Sequence, residues 1–295
     1  VNLSLYICYY LRITDHNERN KLSKLLSEKD FLGFDFLEYP AKIEGEIANN
    51  MNLKRGIAKN RALLDNILTL FVCLNAKIPV FICGKAGCSK TLSFSLLNQS
   101  MKGEYSDSEL FKKYPKLYVS SYQGSLTSNS SEIETIFERA KKISGAYGKQ
   151  NIKSENHQKF GRSNILSVLL FDEMGLAEIS PNNPLKVIHS KLDDNNDEIG
   201  FVGISNWTLD ASKMNRGVHL SIQEPDEEDL ILTAKSIASG IYEGIEEIEN
   251  YKKVIINLAK SYYEYKQILY KNYKLFYDFH GSRDFYSLIK NTSRE

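Results

Sequence analysis

The chain has 295 residues, with 38 Lys and Arg against 37 Asp and Glu, and therefore a formal charge of +1. Its 42% hydrophobic and 25% charged residues are typical of a globular protein and exclude a disordered or collagen-like chain. The even balance of charge gives no bulk attraction to nucleic acid or to an anionic membrane. The longest apolar run, residues 3–11, is too short to span a membrane. We therefore expect one large domain or two unequal ones, without a transmembrane segment.

The cysteines lack C-x-x-C spacing and have no cluster of histidines beside them, which argues against a structural zinc site. They are Cys8, Cys73, Cys83 and Cys88. Buried, reduced thiols are typical of a reducing compartment, so we expect a cytoplasmic protein. Because the first residue is valine and the C-terminal end has no capping signal, we also expect a piece of a longer protein.

In chain order, residues 1–50 combine an aromatic run with a charged patch, and their pattern predicts no particular fold. Residues 51–74 are expected to lead into the core as a helix, because apolar residues recur at helical spacing over 57–74. Continuous apolar runs then predict buried strands. The predicted strands are 80–83, 117–119, 165–171, 200–205 and 218–222, and the helices between them are 91–97, 133–143 and 185–192.

Strands that alternate with helices indicate an α/β fold with a doubly wound parallel sheet, which we assign to residues 75–225. After this point the periodicity becomes helical, and no strand is evident. The helices predicted there are 230–238, 254–269 and 283–289. The second has an amphipathic stripe of apolar residues. We therefore expect a small all-helical domain at 226–295.

The strongest local motif is Gly84-Lys85-Ala86-Gly87-Cys88-Ser89-Lys90-Thr91, which lies between a predicted strand and a predicted helix. Small residues there allow backbone N–H groups to surround a polyphosphate at a helix N-terminus. Lys90 would reach the β- and γ-phosphates, and the Thr91 hydroxyl would ligate Mg²⁺. Ser89 stands where the usual motif has glycine, which leaves a lysine-capped turn without function as the alternative.

Asp172 and Glu173 end the predicted strand 165–171. Sheets of this class bind ligands at the carboxyl ends of their strands. There, Asp172 would hold Mg²⁺ and Glu173 would orient and deprotonate a water molecule. The alternative is that the two acids cap a turn in solvent.

Three further polar residues are candidates for roles in catalysis. Asn206 follows the strand 200–205, where its amide would hold the attacking water, or alternatively cap a turn. Arg216 precedes the last predicted strand, and Arg283 begins the last predicted helix. Either arginine would stabilise charge on a transferring phosphoryl group, although a single arginine is more commonly a solvated surface charge.

The order of these motifs resembles an AAA+ ATPase module, and more narrowly a nucleotide-binding module of the mysterin family, giant RING-finger AAA+ ubiquitin ligases. The resemblance covers residues 50–295, and serine before the lysine is usual in that family. The segments that carry the resemblance are 56–60, 78–79, 84–92, 171–178, 184–186, 203–207, 213–217 and 283–288.

This resemblance implies a P-loop NTPase fold of AAA+ type, with a helical lid and with ATP and Mg²⁺ as cofactors. The residues expected to bind the nucleotide are Gly84, Gly87, Cys88, Ser89, Lys90, Thr91 and Leu92, with Thr91 and Asp172 at the metal. Glu173 would be the base and Asn206 sensor 1, while Arg216 would be the arginine finger and Arg283 the sensor-2 arginine. The implied partners are neighbouring AAA+ modules of the same longer chain and proteins of the ubiquitin system. The family's ligase chemistry resides in other domains.

Two other functions remain open from the sequence. The first is a regulatory module that binds ATP and hydrolyses it little, because such a module keeps the same residues. The second is a nucleic-acid motor that uses the tyrosine- and lysine-rich stretch 251–277 for stacking. The helical stripe accounts for most of these tyrosines as core, and the charge of +1 argues against nucleic acid as a partner.

Overall fold

The computed structural model describes residues 1–28, 35–150, 165–193, 199–241, 249–272 and 279–294. Its centre is a five-stranded sheet in the order β2-β3-β4-β1-β5, and each of its strand pairings is parallel. The strands are β1 Val80–Cys83, β2 Lys116–Gln123, β3 Ile165–Asp172, β4 Gly200–Ser205 and β5 Val218–Ser221. The predicted α/β fold with a parallel sheet is confirmed.

Helices surround this sheet and continue beyond it. They are α1 Asn2–Cys8, α2 His16–Glu28, α3 Glu38–Asn50, α4 Arg61–Ala76, α5 Lys90–Ser100, α6 Glu109–Lys112, α7 Ser130–Gln150, α8 Met174–Glu178, α9 Lys186–Asp193, α10 Ala211–Met214, α11 Glu227–Ile241, α12 Glu249–Asn272 and α13 Ser282–Thr292. Short 3-10 turns lie at Tyr10–Arg12 and Gly103–Tyr105. Among the described helices, none is long and apolar enough to cross a membrane.

The helix that precedes β1 is shorter than its sequence pattern predicts. It was expected over 57–74, but α4 begins at Arg61. Asn60 has an extended backbone, and its side-chain oxygen accepts a hydrogen bond from the backbone N–H of Leu63. This side-chain cap satisfies a donor that the first turn leaves unpaired, and it therefore sets the start of the helix.

Residues 1–50, whose fold the sequence pattern does not predict, pack their helices into the main hydrophobic core. Tyr6 and Leu11 are buried in the same cluster as Leu68 of α4 and Ile82 of β1. Residues 29–34 lie outside the described part of the chain. The described N-terminal helices therefore contribute to the core that underlies the sheet.

The three C-terminal helices, α11, α12 and α13, share a separate hydrophobic cluster. Ile255 of α12 is buried in it, and Leu258 and Tyr262 pack against it, as the predicted stripe requires. Tyr265, which the stripe also includes, is instead 38% exposed. The ring of Tyr262 stacks on Phe285 of α13, with ring centroids 4.6 Å apart. Residues 242–248, 273–278 and 295 of the predicted helical domain lie outside the described residues.

Candidate nucleotide-binding site

The loop at residues 84–89 connects the end of β1 with the start of α5. The Gly84 N–H donates to the carbonyl oxygen of Ser205 at 3.2 Å, which links the loop to the end of β4. Gly87 has a φ of +91° and Ser89 a φ of +57°, both in the left-handed region. The Ser89 carbonyl accepts from the Ser93 N–H at 2.8 Å and so begins the hydrogen bonding of α5. The loop therefore leads directly into a helix N-terminus, the arrangement that binds phosphate.

Lys90 is the first residue of α5 and is 6% exposed. Its Nζ donates to the carbonyl oxygens of Gly84 and Lys85, the second at 2.8 Å. Burial lowers the pKa of Lys90. The ammonium group is thus held inside the loop that would surround a phosphate chain.

Thr91 and Asp172 provide oxygen atoms beside this loop. The Thr91 hydroxyl donates to Asp172 Oδ2 at 3.4 Å, across 81 residues of sequence. Mg²⁺ is usually bound through one or two protein oxygens together with substrate phosphates and water. A hydroxyl and a carboxylate at this distance fit such an ion. In the described part of the chain, no group of three or more His, Cys, Asp and Glu residues could hold a metal by itself.

Glu173 and Asn206 meet at the ends of neighbouring strands, β3 and β4. The Asn206 Nδ2 donates to Glu173 Oε2 at 2.7 Å. The backbone of Glu173 is left-handed, with a φ of +50°, and its N–H donates to Asp172 Oδ1 at 2.9 Å. The amide therefore contacts the carboxylate that was predicted to activate water.

Helix α13 begins directly against the loop at residues 84–89, which we call the phosphate-type loop. A Cβ atom built on Gly87 would lie 2.8 Å from Ser282 Cβ and 3.7 Å from Arg283 Cγ. The Tyr286 hydroxyl donates to the Gly87 carbonyl at 2.9 Å. Arg283 thus lies beside the loop of its own chain. A cavity of about 270 Å³ lies beside this contact, and residues that line it include Lys85, Cys88, Asn206, Tyr262, Lys266 and Ser282.

Arg216 lies near the amino ends of the strands, whereas the loop and the two acids lie at their carboxyl ends. It comes two residues before β5, whose first residue, Val218, pairs with Val80 at the start of β1, whereas the loop follows the end of β1. Its Nε donates to both carboxylate oxygens of Asp193, at 3.0 and 2.9 Å, and its Nη1 donates to the Ser212 carbonyl. The structure therefore does not bring Arg216 to the site in its own chain.

The remaining predicted contacts lie on the loop and the first turn of α5. Leu92 has a side chain that is 40% exposed on that turn. The Cys88 carbonyl accepts from Asn66 Nδ2 of α4 at 3.2 Å. Burial raises the pKa of the Cys88 thiol, so this thiol stays protonated at neutral pH.

The family model of the RNF213 AAA domain matches residues 56–229. The chain belongs to this family. It is 33% identical over 300 residues to the E3 ubiquitin-protein ligase rnf213-beta of Danio rerio, which covers 98% of this chain and 6% of that protein. It is 31% identical over 297 residues to the human E3 ubiquitin-protein ligase RNF213, covering 98% of this chain and 5% of that protein. The chain therefore spans about one-twentieth of the length of these relatives.

Two solved structures are similar to this chain, both at low TM-scores. A RuvB variant of Thermotoga maritima matches 69% of this chain and 61% of its own, with 12% identity and a TM-score of 0.38. PCH-2 of C. elegans matches 97% of this chain and 70% of its own, with 13% identity and a TM-score of 0.40.

The RNF213-type site also contains residues that sequence reasoning missed. Gly124, which follows β2, donates its N–H to the Asp172 carbonyl at 2.8 Å. A Cβ atom built on Gly124 would lie 2.4 Å from the Glu173 carbonyl oxygen. Tyr286 and Asn66 contact the phosphate-type loop from helices outside it. A glycine or tyrosine far along the chain gives no local signal of such contacts, although Tyr286 lies inside the family segment 283–288.

Proposed function

We propose that this RNF213-type AAA domain binds ATP with Mg²⁺ and hydrolyses it. The proposal rests mainly on the pair of contacts Thr91–Asp172 and Asn206–Glu173, which join the phosphate-type loop and two strand ends into one site. A helix N-terminus, a buried lysine and two acids at the carboxyl edge of a parallel sheet are the groups that phosphoryl transfer needs.

In the proposed reaction, the loop N–H groups and Lys90 bind the phosphates of ATP. Thr91 and Asp172 would hold Mg²⁺, which would supply positive charge beside the phosphate oxygens. Asn206 orients a water molecule in line with the γ-phosphate, and Glu173 takes its proton as the oxygen attacks. The products are ADP and phosphate.

The two arginines are assigned different sites. Because α13 begins against the loop, Arg283 would stabilise negative charge on the nucleotide of its own module. Arg216 would act on the nucleotide of a neighbouring AAA+ module in the same longer chain, since it lies near the amino end of β5, away from the loop of its own chain. We place the nucleotide-binding core at 75–225 and the lid at 226–295.

We further propose that the domain is the motor or nucleotide sensor of a cytoplasmic, mysterin-like ubiquitin ligase. The support is the name E3 ubiquitin-protein ligase that its much longer relatives carry. Proteins of the ubiquitin system would be partners of that longer protein. A regulatory module with little hydrolysis is the second candidate, favoured by the distance of Arg216 from the site of its own chain.

The test combines ATP binding with phosphate release by the wild-type chain and by Glu173→Gln. The amide keeps the shape of the side chain but accepts no proton, so ATP should bind normally while turnover falls at least about 100-fold. Lys90→Ala is the control without nucleotide binding, and Lys102→Ala, an exposed lysine, is the control for loss of charge. A decrease of less than about tenfold in Glu173→Gln would exclude Glu173 as the base.

A further inference from the structure

Trp207, the single tryptophan of the chain, directly follows Asn206 and lies against helix α8. A Cβ atom built on Gly175, the second residue of α8, would lie 2.6 Å from Cε2 and 2.7 Å from Cζ2 of the indole ring. These distances leave no space for a side chain at Gly175. The ring therefore packs directly on the backbone of the helix, a close approach that glycine permits.

The turn that carries Trp207 is fixed by Ser205, the last residue of β4. The Ser205 hydroxyl donates to the Trp207 carbonyl at 2.6 Å and accepts from the Trp207 N–H at 3.2 Å. Asn206 lies between these two residues in the chain, so both bonds restrict its backbone. The position of the Asn206 side chain thus depends on where this turn rests on α8.

Glu173 lies at the start of the same helix and has a strained backbone. Its left-handed φ of +50° is a conformation that a residue with a side chain keeps only when its surroundings hold it there. Contacts among the described residues connect this helix with the segment after β4. They include the Asn206–Glu173 hydrogen bond at 2.7 Å, the ring of Trp207 on Gly175, and the Asp210 N–H to Glu178 Oε1 at 3.0 Å.

We propose that Trp207 is a positioning residue, whose ring on Gly175 holds Asn206 against Glu173 and so places the base and the water for attack. This inference rests on the roles proposed above for Glu173 and Asn206. A displacement of about 1 Å at reacting groups costs on the order of 100-fold in rate. The phosphate-type loop meets this turn through a backbone bond, from the Gly84 N–H to the Ser205 carbonyl, in which the Trp207 ring takes no part. We therefore expect the effect in turnover rather than in ATP affinity.

The kinetic test compares Trp207→Ala, which removes the ring, with Trp207→Phe, which keeps an aromatic ring. We expect Trp207→Ala to lower kcat at least about tenfold, with the Kd for ATP changed less than about twofold. Trp207→Phe should recover most of the rate. Trp207 is 38% exposed, and the control is Leu126→Ala, which truncates an apolar side chain that is 56% exposed. An unchanged kcat in Trp207→Ala, or a Kd that rises as much as kcat falls, would overturn the inference.

A spectroscopic test requires neither nucleotide nor turnover. Because the chain has one tryptophan, its fluorescence reports on this contact alone. Coupling is reciprocal, so if Trp207 holds Asn206, then Asn206→Ala should loosen the ring and increase quenching of its emission by acrylamide. Lys102→Ala should leave the quenching unchanged. Quenching in Asn206→Ala that equals wild type would overturn the inference, whereas absent hydrolysis together with increased quenching would contradict only the proposed function.

Discussion

At the scale of single residues, Ser89 occupies a backbone conformation that suits glycine better than serine. Its φ of +57° lies in the left-handed region, and its side chain makes no capping hydrogen bond to α5. Such a conformation costs about 1–3 kcal/mol in a residue with a side chain. The loop nevertheless keeps the geometry that leads into a helix N-terminus, so serine replaces glycine here with a cost in strain.

We expect Ser89→Gly to raise the free energy of unfolding by about 1 kcal/mol, because glycine adopts this conformation without strain. Ser89→Ala is the matched control, since alanine keeps the Cβ atom that causes the strain. Urea denaturation of the three proteins measures the difference. Equal stabilities of the Gly and Ala variants would show that Ser89 is not strained.

At the scale of elements, the end of β2 and the turn after β3 are in close backbone contact. Because a Cβ atom on Gly124 would lie 2.4 Å from the Glu173 carbonyl, Gly124→Ala must displace one of the two segments. We expect this variant to lose about 1–3 kcal/mol of stability and to hydrolyse ATP more slowly. Denaturation and phosphate release measure the two effects.

The matched control for this prediction is Gly145→Ala in helix α7. A Cβ atom there meets nothing within 4 Å, and alanine is the better helix former, so this variant should be as stable as wild type or more stable by up to about 1 kcal/mol. A Gly124→Ala protein that is as stable and as active as Gly145→Ala would contradict the contact.

A buried polar cluster joins the N-terminal helices to α4. Burial raises the pKa of Glu44 to about 7, although the Arg61 guanidinium, 2.8 Å away, acts in the opposite direction. An unfolded glutamate titrates near 4.5, so between these values the folded chain binds a proton that the unfolded chain has released. The contribution to stability is therefore complete below about pH 4.5 and is lost as the pH rises through 7.

We expect the free energy of unfolding of the wild type to decline between pH 5 and 7 relative to that of Glu44→Gln. The amide keeps the shape of the protonated acid but does not titrate. Urea denaturation at several pH values measures both slopes. Equal slopes in the two proteins would show that the pKa of Glu44 does not change on folding.

The sequence predicts a strand well where every residue of the strand is buried. Strands β1 and β4 are buried along their whole length, and their apolar runs gave their exact bounds. Strand β2 lies at the edge of the sheet and contains exposed polar residues. Its sequence therefore predicted only three of its eight residues as strand. Helices α1 to α3 were not predicted because their partners are distant in sequence; the Tyr6 hydroxyl, for example, bonds to Asp65, 59 residues away.

The same distinction holds for the site. Lys90 and Thr91 form a local motif, and Asp172 and Glu173 another, so the sequence alone indicates their chemistry. The roles that we infer for Gly124 and Trp207 depend on contacts between segments that only folding brings together. No spacing or periodicity in the sequence contains that information.

At the scale of the whole molecule, Arg283 lies beside the loop that follows the carboxyl end of β1, whereas Arg216 lies near the amino end of β5. Arg283 begins the helix that rests on Gly87, whereas Arg216 precedes β5 and is paired with Asp193. In the proposed function, the chain has its own groups for binding ATP and for activating water, while Arg216 would act as the arginine finger of a neighbouring module. Arginine fingers contribute about 10³–10⁵-fold in rate, so an isolated chain should hydrolyse ATP slowly.

Single-turnover hydrolysis of ATP, measured over a wide range of protein concentrations, tests most directly whether Arg283 acts within its own chain and Arg216 on a neighbouring one. In dilute solution we expect slow turnover that Arg216→Ala leaves nearly unchanged and that Arg283→Ala decreases together with ATP affinity. At high concentration, where chains meet, turnover should rise in the wild type and not in Arg216→Ala. Fast turnover that is independent of concentration and is lost in Arg216→Ala would show that this arginine acts within its own chain and would contradict the proposed arrangement.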